Sequence, residues 1–140
     1  MILLDTNVVS EPLRPAPEGR VIAWIDAQPL ETLYLSVISV AELRSGVALL
    51  PAGRRRSNLQ EHLEQRVLPM FAGRMLAFDM ACSHAYAELL PKARAAGQAV
   101  ETADAFIAAV AIANGFTVAT RDTRPFRAAG VTVVNPWDDT

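Results

Sequence analysis

Short apolar runs that alternate with helical patterns are the feature that most restricts how this chain can fold. Their apolar residues are nearly continuous instead of alternating with polar ones, which is typical of strands buried on both faces. Helix-like sequence separates each run from the next, so we predict an α/β sandwich in which helices flank one parallel sheet. The runs are ILLD, TLYLS, MLAFD, FTVAT and VTVV.

The segments between the runs predict the helices. Their predicted bounds are 8–13, 18–27, 37–50, 54–71, 80–96 and 103–114, with a short helix near Pro125. Glycine suits the left-handed cap that ends many helices, and five glycines fall at proposed helix ends: Gly53, Gly73, Gly97, Gly115 and Gly130. Pro91 lies inside a helical pattern and is expected to kink that helix or split it in two.

Composition restricts the class of protein. A chain of 140 residues with 51% hydrophobic residues fits one globular domain, residues 1–140, and no uncharged apolar run is long enough for a membrane span. The N-terminus MILLDTN contains no basic segment or cleavage site, so no secretory signal is expected. A lone cysteine, Cys82, is typical of the reducing cytoplasm, where we place the protein. The net charge of -2 argues against bulk attraction to nucleic acid and still allows a local contact with it.

Acidic residues far apart in the sequence are predicted to meet at one edge of the sheet. Ligands of parallel sheets bind beyond the carboxyl ends of the strands, and Asp5 and Asp122 follow two of the strand runs there. Glu42 and Asp104 lie early in helices that begin at the same edge. We call this set the acidic rim: Asp5, Glu42, Asp104 and Asp122.

Each of these acids also has a purely structural interpretation. Asp104 follows Thr102, a candidate N-cap, and an acid in the first turn stabilises a helix by about 0.3 to 1 kcal/mol. Asp5 could cap a helix, Asp122 could start a turn, and Glu42 could be a solvated helix residue. Their joint placement instead indicates a cation site, because like charges at one edge are tolerated mainly when a cation neutralises them.

The ligand types indicate which cation to expect. A site of carboxylates suits Mg²⁺, or Mn²⁺, better than Zn²⁺. His62 and His84 have no partner at a metal-ligand spacing, and Cys82 has no paired histidine that would indicate a cysteine nucleophile. Because Mg²⁺ commonly shares its coordination positions with substrate phosphates, the pattern favours phosphoryl chemistry.

Four motifs, in order and spanning nearly the whole chain, resemble those of one family. MILLDTNVVSE, SVISVAELRSG, TADAFIAAVA and TVATRD are similar to the PIN-domain ribonucleases, in particular the VapC-type toxins of toxin–antitoxin pairs and their FitB-like relatives. The acidic quartet of that family matches Asp5, Glu42, Asp104 and Asp122. Glu101 departs from the pattern, since a glycine is expected there, and adds an acid near the rim.

The resemblance implies a PIN-like three-layer sandwich that cleaves RNA endonucleolytically with Mg²⁺. Asp5 and Asp104 would hold one ion, while Glu42 and Asp122 would support it, help admit a second ion or orient the attacking water. The resemblance also implies a protein antitoxin as partner, a homodimer and a toxin–antitoxin hetero-oligomer.

Three polar residues beside the acids are candidates for a supporting role. They are expected to hydrogen-bond to the carboxylates or to the substrate: Thr6, Asn7 and Thr120. The basic run Arg54, Arg55 and Arg56 is interpreted as a solvated surface, with contact to RNA phosphate or to an acidic partner as the alternative.

Three other functions fit parts of the pattern. A phosphatase with an aspartyl-phosphate intermediate also has a strand that ends in aspartate, but it needs a second acid where this chain has Asn7. A receiver-like module would need a lysine late in the chain, and the only lysine is Lys92. A catalytically silent PIN-like binding module that keeps the acidic rim is the remaining alternative.

Substitution of Asp104 distinguishes the two interpretations of that residue. We expect Asp104→Asn to abolish RNA cleavage and to leave the circular dichroism spectrum unchanged, because a metal ligand is lost while the helix remains. Persistent cleavage by the variant would identify Asp104 as a residue that only helps to start its helix.

Overall fold

Five strands form one parallel sheet in the computed structural model, which describes residues 1–138. The strand order is β3-β2-β1-β4-β5, so β1 is central. Each strand lies within one of the five predicted runs, and the predicted parallel sheet flanked by helices is confirmed. Asp139 and Thr140, the end of the predicted domain range, lie outside the described residues. The strands are β1 Ile2–Leu4, β2 Leu33–Ser36, β3 Met75–Leu76, β4 Thr117–Ala119 and β5 Val133–Val134.

Helices connect the strands, and most of their predicted positions are close to the observed ones. None of the helices within residues 1–138 is long and apolar enough to cross a membrane. The α-helices are α1 Thr6–Ser10, α2 Gly19–Ala27, α3 Val37–Ala48, α4 Arg54–His62, α5 Met80–Ala95, α6 Thr102–Asn114 and α7 Thr123–Ala128.

Two of the predicted helices differ in detail from the observed ones. The helix predicted at 8–13 begins earlier, at Thr6, because the Asp5 side chain caps it, and its last turn, Glu11–Leu13, is a 3₁₀ helix. The helix predicted at 54–71 changes its winding after α4, first to a π-helix and then to a 3₁₀ helix, Leu68–Phe71. Pro69 has no N–H to donate to the carbonyl four residues earlier, so it cannot continue an α-helical pattern.

Pro91 and Gly53 also depart from the predictions. The helix α5 runs unbroken through Pro91, so the predicted split does not occur; buried Leu89 and Ala93 anchor the turns on either side. Gly53 does not end α3, which ends earlier, at Ala48. It is instead the N-cap of α4, and its carbonyl accepts a hydrogen bond from Ser57 N at 3.1 Å.

The core has two apolar layers, one on each face of the sheet. Leu3 packs into the layer beneath α5, α6 and α7, whereas Leu4 packs into the layer beneath α1, α2, α3 and the segment 63–71 that follows α4. Val118 and Ala119 in β4 divide between the two layers in the same way. Successive side chains of a strand point to opposite faces, so a sheet covered on both faces needs apolar residues at successive positions. This requirement explains the continuous apolar runs of the sequence.

The fold brings the ends of several elements to one edge of the sheet. Asp5 follows β1, and Thr120 follows β4, which pairs in parallel with β1 from Ile2↔Thr117 to Leu4↔Ala119. The helix α3 begins directly after β2, and α6 returns to the start of β4 through Gly115 and Phe116. The helix α6 therefore begins at the carboxyl edge, where its acidic first turn meets the ends of β1 and β4.

Two glycines provide a matched test of backbone conformation. Gly115 ends α6 in the left-handed region at φ 70°, and an added Cβ would meet no atom within 4 Å there or at Gly46, inside α3. We expect Gly115→Ala to lower the free energy of unfolding by about 1 kcal/mol, because alanine disfavours a positive φ. Gly46→Ala should raise it by about 0.5 to 1 kcal/mol through helix propensity. Urea denaturation measures both, and equal effects of the two substitutions would contradict the argument.

Candidate active site

Asp5 is the most buried of the acids at this edge. The exposed fraction of its side chain is only 4%. Its backbone N–H donates to Ala119 O at 2.9 Å, and its carbonyl accepts the N–H of Val8 at 3.0 Å, so β4 and α1 hold it from both sides. Its Oδ1 accepts a hydrogen bond from Thr6 N at 2.8 Å. Asp5 is thus both the cap of α1 and a fixed carboxylate at the end of the central strand.

Thr120 connects two acids of the rim. Its hydroxyl is fully buried and donates to Asp5 Oδ2 at 2.8 Å. The hydroxyl oxygen, Thr120 Oγ1, also accepts a hydrogen bond from the backbone N–H of Asp122 at 3.0 Å. Asp122 itself precedes α7 as its N-cap residue, with no side-chain cap bond, and its side chain is exposed. The Thr120 hydroxyl therefore fixes both the carboxylate of Asp5 and the backbone of Asp122.

Thr6 connects Asp5 to Glu42 in the second turn of α3. Its hydroxyl donates to Glu42 Oε1 at 2.6 Å, and its backbone N–H donates to Asp5. Ser39 Oγ lies 3.0 Å from Thr6 Oγ1, and Ser39 N donates to the hydroxyl of Ser36, which caps α3. The sequence analysis did not identify the two serines. The spacing S-V-I-S at the end of a strand run was the available signal, because it matches a capped helix start.

Asp104 lies in the first turn of α6, next to Glu101. The predicted N-cap, Thr102, is instead the first helical residue, because Glu101 has the extended conformation of a cap and its carbonyl accepts the N–H of Ala105. Burial raises the pKa of Asp104 to about 6, and the charges of the other rim acids and of Glu101 contribute. The carboxylate of Asp104 receives no hydrogen bond from residues 1–138 that would oppose this shift.

The pKa of Asp5 is also raised, by burial and by neighbouring acids. Burial raises the pKa of Asp5, and the charges of Glu42 and Asp122 raise it further. The hydrogen bonds from Thr120 and Thr6 lower it and oppose the effect of burial. The edge therefore contains carboxylates close enough to raise one another's pKa values, which is the situation that a bound cation relieves.

The donor chemistry of the rim fits a hard divalent cation. All of its side-chain donors are carboxylate oxygens, and Mg²⁺ typically binds through one or two carboxylates and several waters. In the described part of the chain, no three His, Cys, Asp or Glu side chains are gathered into a ready metal-binding group. The described acids of the rim therefore do not form a closed cage of protein ligands.

Asn7 contacts a neighbouring loop, not a carboxylate. Its Oδ1 accepts the backbone N–H of Arg121 at 3.4 Å, which ties the start of α1 to the segment between Thr120 and Asp122. Thr6 and Thr120 therefore hydrogen-bond to carboxylates of the rim, whereas Asn7 hydrogen-bonds to the loop between Thr120 and Asp122.

Other polar residues singled out in the sequence lie elsewhere. His84 pairs with Glu88 along α5 at 3.1 Å, and Cys82 is buried with its thiol directed at Ala77 O. Arg54 and Arg55, which begin α4, lie beside Leu13 and Pro15, whereas Arg56 donates to Leu50 O at 3.5 Å. A further buried acid, Glu11, escaped the sequence analysis; it accepts hydrogen bonds from Arg14 and Glu18 N and holds the turn before α2.

Comparison with known proteins identifies close relatives. Residues 2–131 match the family model of the PIN domain. The chain is 70% identical to plasmid stability protein StbB of Pseudomonas syringae pv. tomato, 56% to VapC ribonuclease Y4jK of Sinorhizobium fredii and 55% to toxin FitB of Neisseria gonorrhoeae. These alignments cover 99% of this chain and at least 99% of each relative.

Solved structures show the same fold. FitAcB from Neisseria gonorrhoeae matches with a TM-score of 0.95 and 55% identity, over 99% of this chain and 100% of the matched chain. VapBC-5 from Mycobacterium tuberculosis, a member of the VapBC family of toxin-antitoxin systems, matches with a TM-score of 0.68 and 25% identity. That match covers 95% of this chain and 94% of the other.

The raised pKa of Asp104 predicts a pH dependence of stability in the absence of metal. With a folded pKa of about 6 against an ordinary value of 3.8, the folded chain binds more protons than the unfolded chain in this interval, so stability falls as the pH rises through it. Asp104→Asn should remove the part of this dependence that Asp104 causes, while the raised pKa of Asp5 keeps the rest. After allowance for solvent screening, the variant should gain about 1 kcal/mol, or about 3 °C in Tm, at pH 7 in EDTA.

Thermal unfolding at pH 4 to 7 measures this effect. Asp26→Asn, at an exposed aspartate on α2, is the matched control and should follow the wild type. If Asp104→Asn loses stability with pH as steeply as the wild type does, the proposed repulsion at the rim is wrong.

Proposed function

This chain belongs to the PIN-domain family, and from that premise we propose that it is a VapC- or FitB-type toxin that cleaves RNA with Mg²⁺ or Mn²⁺ at the acidic rim. The observation that carries the proposal is the convergence of carboxylates at the carboxyl edge. Burial and the neighbouring acids raise the pKa of Asp104 to about 6. Negative charge that destabilises the metal-free protein is therefore concentrated at that edge. Such a concentration is typical of functional sites.

The proposed roles follow from the contacts of each acid. Asp5 and Asp104 would hold the ion, with Glu42 and Asp122 beside them, and the ion would supply an activated water and neutralise charge on the scissile phosphate. The hydrogen bonds from Thr120 and Thr6 lower the pKa of Asp5 and so oppose the rise that burial causes. Each oxygen of Asp5 accepts one of these hydrogen bonds, and a carboxylate has about four acceptor positions, so acceptor capacity remains.

Glu42 is held ready beside Asp5 in this arrangement. The short hydrogen bond from the Thr6 hydroxyl fixes one of its oxygens, while Ser39 supports the hydroxyl from the side of α3. A carboxylate fixed in this way is suited to orient a water that attacks the phosphate, because its position does not have to be organised during the reaction.

The names of the relatives support the proposed substrate class and partner. One relative is named a ribonuclease and another a toxin, and VapBC-5 belongs to a family of toxin-antitoxin systems. We infer that the substrate is RNA in the cytoplasm and that a cognate antitoxin protein binds this chain. A homodimer within a larger toxin–antitoxin assembly is part of the same proposal.

Cleavage of RNA by the purified protein tests the proposal directly. Total cellular RNA incubated with the antitoxin-free protein and Mg²⁺ should yield discrete fragments that disappear with EDTA and with Asp5→Asn.

Glu42→Gln should lower the cleavage rate by more than about a hundredfold, since a pre-placed charged group is lost. Glu61→Gln, an exposed glutamate on α4, is the matched control and should cleave at the wild-type rate.

The contrary outcomes are distinct. Cleavage that survives EDTA would overturn the metal requirement, and unchanged kinetics of Glu42→Gln would remove that residue from the site. If a folded, antitoxin-free protein binds Mg²⁺ or Mn²⁺ and cuts no RNA, the chain is a binding module that keeps the acids without catalysis.

A further inference from the structure

We propose that Arg121 is a positioning residue that holds a backbone phosphate of bound RNA beside the acidic rim, and that the ring of Trp137 keeps its guanidinium in place for this contact. The inference deepens the proposed function and rests on it. It assigns a substrate contact to a residue that the sequence analysis passed over.

The backbone of Arg121 is part of the site. Its N–H donates to Asn7 Oδ1 at 3.4 Å, and its neighbours on either side are Thr120, which orients Asp5, and Asp122. The residue therefore follows β4 at the same edge as the acids, on the side of the sheet where β5 ends.

The side chain of Arg121 lies over an aromatic ring and leaves its donors available. The guanidinium carbon lies 5.3 Å from the ring centroid of Trp137. A cation–π contact uses the face of the guanidinium, whereas its N–H groups point outward in its plane. Within residues 1–138 the guanidinium forms no ion pair or hydrogen bond, although Asp122 is the next residue along the chain.

Trp137 is itself fixed. Its half-buried ring packs against the core layer that contains Leu4, and its backbone N–H donates to Asn135 Oδ1 at 2.9 Å. Its carbonyl accepts a hydrogen bond from Arg20 at 3.1 Å, which links the segment after β5 to the start of α2. A platform held at three points restricts the guanidinium to one region and lowers the entropy lost when a ligand binds.

Several other arginines are already engaged within the fold. Arg44 forms a two-fold contact with Glu64, Arg14 pairs with buried Glu11, and Arg74 donates to backbone carbonyls: Leu30, Leu33 and Met70. Arg74 also lies over a ring, 5.7 Å from the centroid of Phe71, but its donors are occupied by those carbonyls. Within residues 1–138 the guanidinium of Arg121 has only its ring contact, so its donors are not occupied by the fold.

Electrostatics give the reason for a cation at this place. RNA is a polyanion, and the four rim acids and Glu101 repel it wherever they are not neutralised. A guanidinium at the flank of the rim attracts the strand, and its planar fork matches the geometry of a phosphate. The contact positions the backbone without reading bases, so it should act on RNA of any sequence.

The salt dependence of RNA binding tests the proposal. Single-stranded RNA labelled with fluorescein is titrated with the Asp104→Asn protein, which leaves the RNA uncut, in Mg²⁺ at about 50 to 200 mM monovalent salt. Arg121→Gln should weaken binding about tenfold at low salt and reduce the slope of log K against log salt by about 0.7, the value for one contact on a single strand. Arg121→Lys should keep the slope, because it keeps the charge.

The matched control is Arg66→Gln, at an exposed arginine in the π-helical turn Leu63–Val67 that lies beside Glu61 and His62. Its binding should equal that of the parent protein. If Arg121 only ties its loop to Trp137, Arg121→Gln will lower thermal stability and leave the salt slope unchanged, which would overturn the proposal.

Fluorescence of Trp137 provides a second measurement. The chain has two tryptophans, so Trp24→Phe leaves Trp137 as the only reporter. RNA binding should change its emission, and this change should be lost in Arg121→Gln at an RNA concentration that still saturates the protein. Emission that does not respond to bound RNA would contradict a phosphate next to this ring.

These outcomes separate the inference from the function on which it rests. If the Asp104→Asn protein binds RNA and Arg121→Gln changes neither the affinity nor the salt slope, only the role of Arg121 is wrong. If the folded protein neither binds nor cuts RNA, the proposed function fails and the inference fails with it.

Discussion

The buried carboxylate of Asp5 is the constraint on which the rest of the site depends. It ends the central strand, so its position is set by pairing with β4 and by the start of α1. Burial disfavours its charge, and the hydroxyl of Thr120 and the N–H of Thr6 oppose that effect. Both threonines make a second contact, to Asp122 and to Glu42 respectively. The two threonines that hydrogen-bond to the buried carboxylate of Asp5 therefore also fix the positions of Glu42 and Asp122.

The fold can tolerate this conflict because the sheet beneath it is covered on both faces. Two apolar layers meet the strands, and a helix as apolar as α6 packs into one of them with a run of buried alanines. Burial of apolar surface contributes about 25 cal/mol per Å² to stability, and the two layers supply this favourable term against the repulsion among the acids. The buried turns of α6 anchor this helix in the core and thereby fix the position of its acidic first turn. One helix thus contributes both to stability and to the site.

The sequence predicted the strands of the sheet and the positions of the acids at element ends better than the starts and ends of the helices. Strand runs and acids at element ends are local patterns, and each of the five strands lies in a predicted run. The errors concern positions where a neighbour decides. Glu101 takes the place of Thr102 as the cap of α6, Gly53 begins a helix instead of ending one, and α5 continues through Pro91 because the adjacent residues are anchored in the core. The catalytic and metal-binding roles of the acids stay predictions.

By itself the sequence determined the α/β class, the parallel sheet and the edge at which the acids collect, because hydrophobic periodicity and the direction of parallel strands are properties of short segments. Only the tertiary structure decided which side chains touch there. The contact between Thr120 and Asp5 joins residues 115 positions apart, and that between Thr6 and Glu42 spans 36 positions. The placement of Arg121 over Trp137 is of the same kind. Hydrogen bonds and ring contacts depend on distances of a few ångströms, which are fixed only when the packed layers bring remote segments together.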